Sequence, residues 1–256
     1  RCLRRQPRCP RRPRRSPPER KWTTMSLPSL RIDVLTLFPA LFDGFLSQSI
    51  VRRAIDKNLV AIERWDLRDW APGKHKQVDD RPFGGGPGMV LMAPPVVAAA
   101  EAVRARVEPP GTLVVLSPQG PRLDQRRVVD LAAQPRLILL CGRYEGFDER
   151  IIEILNPELL SIGDFVLSGG EVAAMVVIDA VVRLVPGVLG DSQSAVDESF
   201  GPEGGLEYPQ YTRPRVFRGR EVPDVLTSGD HAAIARWRRQ HRRSLPSRNP
   251  GLTEPS

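Results

Sequence analysis

The sequence predicts an α/β fold: a mainly parallel sheet covered by helices on both faces, followed by a small basic helical module. Three observations carry this. Strand-like and helix-like segments alternate along residues 31–187, the order that builds parallel sheets. The runs 113–116 and 137–141 are apolar without interruption, as a strand is when both of its faces are buried. After residue 187 the composition turns to Ser, Gly, Pro and acids, and then to arginine.

Residues 31–37 are apolar-rich and alternating, a strand; beyond Pro39, Leu41, Phe42, Phe45, Leu46 and Ile50 recur at helical spacing as far as Asn58. Residues 59–65 read as a second strand. Residues 66–88 are polar and rich in Gly and Pro, a loop of a length usually reserved for function or disorder. A helix over 94–107, a strand over 112–116, a helix over 124–133, a strand over 137–141, a helix over 148–155 and an extended segment over 159–166 follow. Ser168-Gly169-Gly170-Glu171 has the spacing of a capping box, opening an apolar helix that ends at Pro186-Gly187. A short helix is expected within 229–243. The domain reading is a disordered basic tail over 1–24, an α/β domain over 25–187, a linker over 188–207 and a small basic helical module over 208–256.

The net charge of +8 is placed unevenly. Residues 1–21 hold ten Lys/Arg against Glu19 alone, so the remainder of the chain is close to neutral. The tail begins without Met, whereas Met25 precedes the first strand, and it reads as upstream sequence or, alternatively, as a basic RNA-binding arm. Nine arginines against three acids between Arg213 and Arg243 can pair with phosphates or simply form a solvated face. Cys2, Cys9 and Cys141 fit no zinc or disulfide spacing and suit a reducing, cytoplasmic compartment. No apolar run approaches the roughly 18–20 residues that span a bilayer, so no membrane role is expected.

Three Gly-bearing loops follow strand ends: Leu116-Ser117-Pro118-Gln119-Gly120, Cys141-Gly142-Arg143-Tyr144-Glu145-Gly146, and Ser161-Ile162-Gly163-Asp164-Phe165-Val166-Leu167-Ser168-Gly169-Gly170. Ligands of open α/β sheets gather at the carboxyl ends of strands, although any one such loop is commonly only a turn. G-x-G-x-x-G is absent, which disfavours a nicotinamide dehydrogenase. His75 and His231 are isolated, and no metal-ligand cluster surrounds them.

Val78-Asp79-Asp80-Arg81-Pro82-Phe83-Gly84-Gly85-Gly86-Pro87-Gly88-Met89, Ser117-Pro118-Gln119-Gly120, Gly142-Arg143-Tyr144-Glu145-Gly146, Ser161-Ile162-Gly163-Asp164 and Tyr208-Pro209-Gln210-Tyr211-Thr212-Arg213-Pro214 occur in one order. In that order and spacing they resemble the bacterial tRNA (guanine-N1)-methyltransferase family, over residues 32–239. The resemblance implies a SPOUT-type trefoil-knotted α/β domain and a homodimer with its active site at the interface. It implies S-adenosylmethionine as methyl donor, tRNA as partner, and methylation of N1 of guanosine 37. It also implies Mg²⁺, for which no carboxylate cluster identifies a site. The implied cofactor contacts are Leu116, Ser117, Gly142, Ile162, Gly163, Asp164, Phe165 (where Tyr is usual), Val166 and Leu167. Arg183 matches the family's catalytic arginine; an intrahelical pair with Asp179 is the competing reading. The family's aspartate base precedes Ser-Phe, which places Glu198 in that position, with Asp197 the alternative if the register shifts by one. Guanine N1 is a poor nucleophile until its proton leaves, so a carboxylate base and a guanidinium facing O6 suit the reaction. Asp80, Arg81, Arg213 and Arg215 are candidate tRNA contacts. The carboxyl-terminal module is shorter than the resemblance leads one to expect. Methylation of a ribose hydroxyl or rRNA base, and RNA binding without turnover, are the rival readings.

Overall fold

The computed structural model describes residues 27–190, 198–200 and 205–243. The tail 1–24, Asp197, most of the linker and the segment after 243 lie outside the described residues. The chain order is β1 (Leu30–Thr36), α1 (Asp43–Leu46), α2 (Ser49–Asp56), β2 (Val60–Asp66), β3 (Asp79–Asp80), β4 (Val90–Leu91), α3 (Ala93–Arg104), β5 (Thr112–Leu116), α4 (Gln125–Ala132), β6 (Arg136–Cys141), α5 (Glu149–Leu155), β7 (Glu158–Leu160) and α6 (Gly170–Val182). Then come β8 (Val216–Phe217), β9 (Arg220–Glu221) and α7 (His231–Gln240).

Five strands form one parallel sheet in the order β2-β1-β6-β5-β7, as the alternating pattern requires. Strand side chains alternate between faces, and both faces here are buried. Leu137, Leu139 and Cys141 of β6 pack with Val177, Ile178 and Val181 of α6; Ile138 and Leu140 pack with Val96, Ala99 and Val103 of α3. The side-chain carboxylates of Asp124 and Asp148 cap α4 and α5 by accepting from Arg127 N–H and Arg150 N–H.

Several local expectations are corrected. The single helix up to Asn58 is two, split at Ser47 and Gln48, with a 3-10 turn at Pro39–Phe42 before them. The long loop holds a 3-10 turn (Leu67–Trp70) and the strand β3, which pairs antiparallel with β4. Of the extended segment over 159–166 only Leu159 and Leu160 are strand, within β7 (Glu158–Leu160). The capping box does not form: Gly169 is the N-cap of α6, without a side-chain bond, and Glu171 is buried in the interior. The carboxyl-terminal module contains a small β8–β9 hairpin besides its helix.

A buried charge cluster ties sheet to helix. Asp33 in β1 and Arg136 at the start of β6 are 0% and 1% exposed. Asp33 accepts from Arg136 Nε (2.9 Å), from Arg31 (2.9 and 2.8 Å) and from Trp65 Nε1 (2.9 Å). The Arg136 guanidinium also donates to the carbonyls of Val103 (2.6 Å), Val107 (2.5 Å), Arg104 (3.2 Å) and Pro109 (3.3 Å). It thereby ties the last turn of α3 and the segment that follows it to the sheet, a cation at the carboxyl end of the helix.

Candidate active site

The carboxyl ends of β5, β6 and β7 open into a crevice of about 310 Å³, bordered by the three Gly-bearing loops and the start of α6. Leu116, Ser117, Gly142, Ile162, Gly163, Phe165, Val166 and Leu167 all line it, as their places after strand ends suggest. Asp164 is not among the lining residues; its carboxylate pairs with Arg122 instead. Gln119, Arg143, Tyr144, Glu145, Phe147 and Ala173 line the crevice too.

The loops are bonded to one another. Ser117 N–H donates to Leu160 O (3.0 Å), Leu123 N–H to Ser161 O (2.7 Å) and Ser161 N–H to Pro121 O (3.0 Å), so the loop after β5 is bonded along the end of β7. Gly170 N–H donates to Gly142 O (2.8 Å), which joins the loop after β6 to α6. Two glycines make these approaches possible. A Cβ on Gly120 would lie 2.4 Å from the carbonyl carbon of Leu159, and one on Gly170 would lie 2.8 Å from Cys141 Cα. Backbone cannot yield as a side chain can. Gly120→Ala is therefore expected to push the loop after β5 off β7, costing about 1–3 kcal/mol of overpacking strain. The readout is a lower melting temperature; an unchanged value would remove the steric argument.

Beneath the crevice lies a polar cluster that the sequence reading missed. Glu171 is 1% exposed; one carboxylate oxygen accepts from the Thr36 hydroxyl (2.8 Å), and the other stands 3.0 Å from Arg143 Nε. Arg143 donates to Ser168 O (3.0 Å), and its guanidinium lies 4.5 Å from the centre of the Phe38 ring. Strand β1, the loop after β6 and the start of α6 thus meet at one carboxylate. The signal in the sequence is a lone acid opening an apolar helix, a pattern that capping explains equally well. Burial, with the neighbouring Glu171 charge adding to it, raises the Cys141 thiol well above its ordinary value, so Cys141 stays a neutral packing residue. Tyr144 has a left-handed backbone (φ 61°), and its hydroxyl is pushed up by burial and by the Asp79 carboxylate.

Arg183 follows α6 as its C-cap, and its guanidinium forms a two-point pair with Glu198, at 2.6 and 2.5 Å. The competing intrahelical pair with Asp179 is not the arrangement found. The hydrogen bond from Arg183 to Glu198 raises the guanidinium's pKa against the opposing effect of burial. The pair lies at the far end of α6 from the crevice. Thirteen residues of helix separate the ends, about 20 Å at 1.5 Å per residue.

Asp80 accepts from Arg81 N–H (2.8 Å), and the Arg81 side chain is exposed on the β3–β4 loop. Arg215 pairs with Asp224 (2.7 Å). Arg213 and Arg215 line a second hollow, of about 440 Å³, with Tyr208, Tyr211, Ile234 and Arg238. Among the described residues no three His, Cys, Asp or Glu side chains gather to hold a metal. No helix among them is long and apolar enough to cross a membrane.

A parallel sheet with a crevice at its carboxyl edge, bordered by loops that are bonded to β7 and to the start of α6, defines the class: an α/β protein built to hold a ligand at its strand ends. The crystal structure of tRNA (m1G37) methyltransferase from Aquifex aeolicus matches it with a TM-score of 0.69 and 42% identity, over 83% of this chain and 88% of that one. The chain belongs to the tRNA (Guanine-1)-methyltransferase TrmD family, whose sequence profile matches residues 30–253. It is 60% identical over 217 residues to the tRNA (guanine-N(1)-)-methyltransferase of Rhodopirellula baltica, covering 84% of this chain and 90% of the relative. With that of Chloroflexus aurantiacus it shares 54% over 224 residues, covering 87% and 88%.

Proposed function

We propose that the protein transfers a methyl group from S-adenosylmethionine to N1 of guanosine 37 in tRNA, and that Arg183 and Glu198 act on the base. The observation that carries this is the two-point Arg183–Glu198 pair in a chain of this family. Guanine presents an N1–H donor beside an O6 acceptor. A carboxylate and a guanidinium held side by side complement that edge, whereas adenine offers an acceptor and a donor in the reverse places. Glu198 takes the N1 proton, Arg183 donates to O6 as negative charge grows there, and the freed N1 lone pair forms the new N–C bond as the S–C bond breaks.

The crevice suits an adenosine-bearing donor. Leu116, Phe147 and Leu159 offer apolar contact there, beside the polar groups of Ser117, Gln119 and Glu145. When bound, S-adenosylmethionine supplies an electrophilic methyl on a sulfonium. The reading of a trefoil knot rests on membership of this family.

Ala173, the last crevice residue on α6, and Arg183 are ten residues apart, about 15 Å of helix and more than a methyl group can cross, so the crevice and the Arg183–Glu198 pair of one chain do not serve each other. A second copy of the chain has to bring its own pair to the crevice, which makes the homodimer part of the mechanism. Val172 and Val176, four residues apart on α6, are half-exposed, and Val166 in the preceding loop is 91% exposed. These apolar side chains beside the crevice are where a second copy would pack. Residues 208–256, with Arg213 and Arg215, are read as the tRNA-gripping module: phosphate contacts position the RNA, and contacts to the base select it. On this reading the protein works in the cytoplasm.

The test is transfer of labelled methyl to a tRNA transcript carrying guanosines at positions 36 and 37. Product mapped to N1 of guanosine 37, and lost with adenosine at 37, is expected. Donor binding without transfer would sink the assignment and favour a binding role.

A further inference from the structure

Phe83 is a large aromatic side chain left entirely in water, at 101% exposure. Its loop is held in place nonetheless. The stem pairs Asp79 with Leu91 and Asp80 with Val90, Met92 N–H donates to Val78 O (2.8 Å), and Gly85 N–H donates to Pro82 O (3.3 Å) around Phe83 itself. The loop after β6 adds to the same hairpin as a further edge: Glu145 N–H donates to Met89 O (3.0 Å) and Leu91 N–H to Gly146 O (2.9 Å).

Gly84, Gly85 and Gly86 all take left-handed φ, and a Cβ on any of them would meet nothing within 4 Å. The tip therefore stands clear of the rest of the chain. Its other end does not: a Cβ on Gly88 would collide with Glu145, which lines the crevice. Five residues of chain span at most about 18 Å, so the Phe83 backbone stands within that reach of Gly88, which packs against the crevice residue Glu145. Two residues before it is the exposed guanidinium of Arg81.

We infer that Phe83 is a nucleobase-stacking residue, receiving an unpaired base of the RNA loop that carries the target guanosine, with Arg81 facing the adjoining phosphate. The inference rests on the reading that the chain acts on tRNA. An exposed ring beside a cation is the combination that holds single-stranded RNA, whose unpaired bases stack on aromatic faces. The hairpin is bonded to the loop that borders the methyl-donor crevice, so a base stacked there keeps its neighbour close to the reacting site.

The experiment uses the full chain with Phe83→Trp, Phe83→Leu and Phe83→Ala. Filter binding of an unmodified tRNA transcript, kcat/KM for methyl transfer, calorimetric binding of S-adenosylhomocysteine and sedimentation are measured side by side. The expected result is tRNA affinity weakened about 5- to 150-fold by Ala and Leu alike, the worth of one base–aromatic stack, and retained by Trp. Cofactor affinity and sedimentation stay unchanged. Addition of tRNA alters the fluorescence of the Phe83→Trp protein beyond any change in the parent, whose four tryptophans give the background. Leu as good as Phe, or a shift in sedimentation showing that a second copy covers the ring, overturns the inference. Because tRNA binding is read without turnover, failure of methyl transfer by the parent would count against the catalytic reading alone.

Discussion

Arg183→Ala and Glu198→Ala proteins are each expected to bind S-adenosylhomocysteine and tRNA near normally and to lose about 10²–10⁴-fold in single-turnover methyl transfer. That is the range for removing a positioned base or a group that faces developing charge. The two side chains hold each other at 2.6 and 2.5 Å, so either loss frees the survivor from its geometry. The double variant is accordingly expected to be little worse than the worse single one. Glu198→Gln keeps the shape and removes the base, and should fall as far as Glu198→Ala. Asp197→Ala should stay near the parent, which would settle the register in favour of Glu198. The length of α6 adds a second readout. An Arg183→Ala chain mixed during refolding with a Ser117→Trp chain, whose crevice is obstructed, is expected to regain activity. Heterodimers then own one crevice and one arginine that face each other. No recovery in a mixture proven to contain heterodimers would return the whole site to a single chain.

Arg136→Met should be the most destabilising single change outside the site, at about 3–5 kcal/mol, the cost of leaving one member of a buried pair alone. Against a total of about 5–15 kcal/mol this is most of the stability. Both side chains are essentially inaccessible, and the guanidinium also holds the end of α3. Burial alone would raise the Asp33 carboxyl; hydrogen bonds from Arg31, Trp65 and Arg136 outweigh it and hold the carboxyl below the ordinary value of 3.8. A depressed carboxylate contributes stability above its unfolded pKa, and that contribution is lost as pH falls through the folded value. The parent should therefore lose stability as pH drops below about 4, and Arg136→Met should lose less of it across the same interval. Urea titrations at about pH 7 and about pH 2.5, the second well below the ordinary carboxyl value, measure both effects. A loss below about 1 kcal/mol at neutral pH would mean that the cluster contributes little beyond packing.

The sheet was legible because its signal is local. Leu137 to Cys141 is apolar at every position, and the structure buries every one of those side chains. The loops after β5, β6 and β7 were legible for the same reason, and most of their expected ligand contacts line one crevice. Asp33 and Arg136 were not, because they lie 103 residues apart and neither announces the other. Strands β3 and β4 have two residues each, too few for any period to register. Glu171 was misread because S-x-x-E fits a helix start equally well whether the acid turns back to the cap or inward to Thr36. Glu198 came from the Ser199-Phe200 register, a matter of resemblance rather than of physics.

The strand order has a consequence for how the protein is made. β1 lies between β2, which emerges soon after it, and β6, which begins at Arg136. At about 5–20 residues per second, the ribosome needs some 5–20 s to deliver the 103 residues that separate Asp33 from Arg136. Throughout that interval one edge of an apolar strand, with a carboxylate at its middle, has no native partner. The charge that later locks the sheet is in the meantime a guard on the nascent edge, since an ionised side chain discourages pairing with another chain.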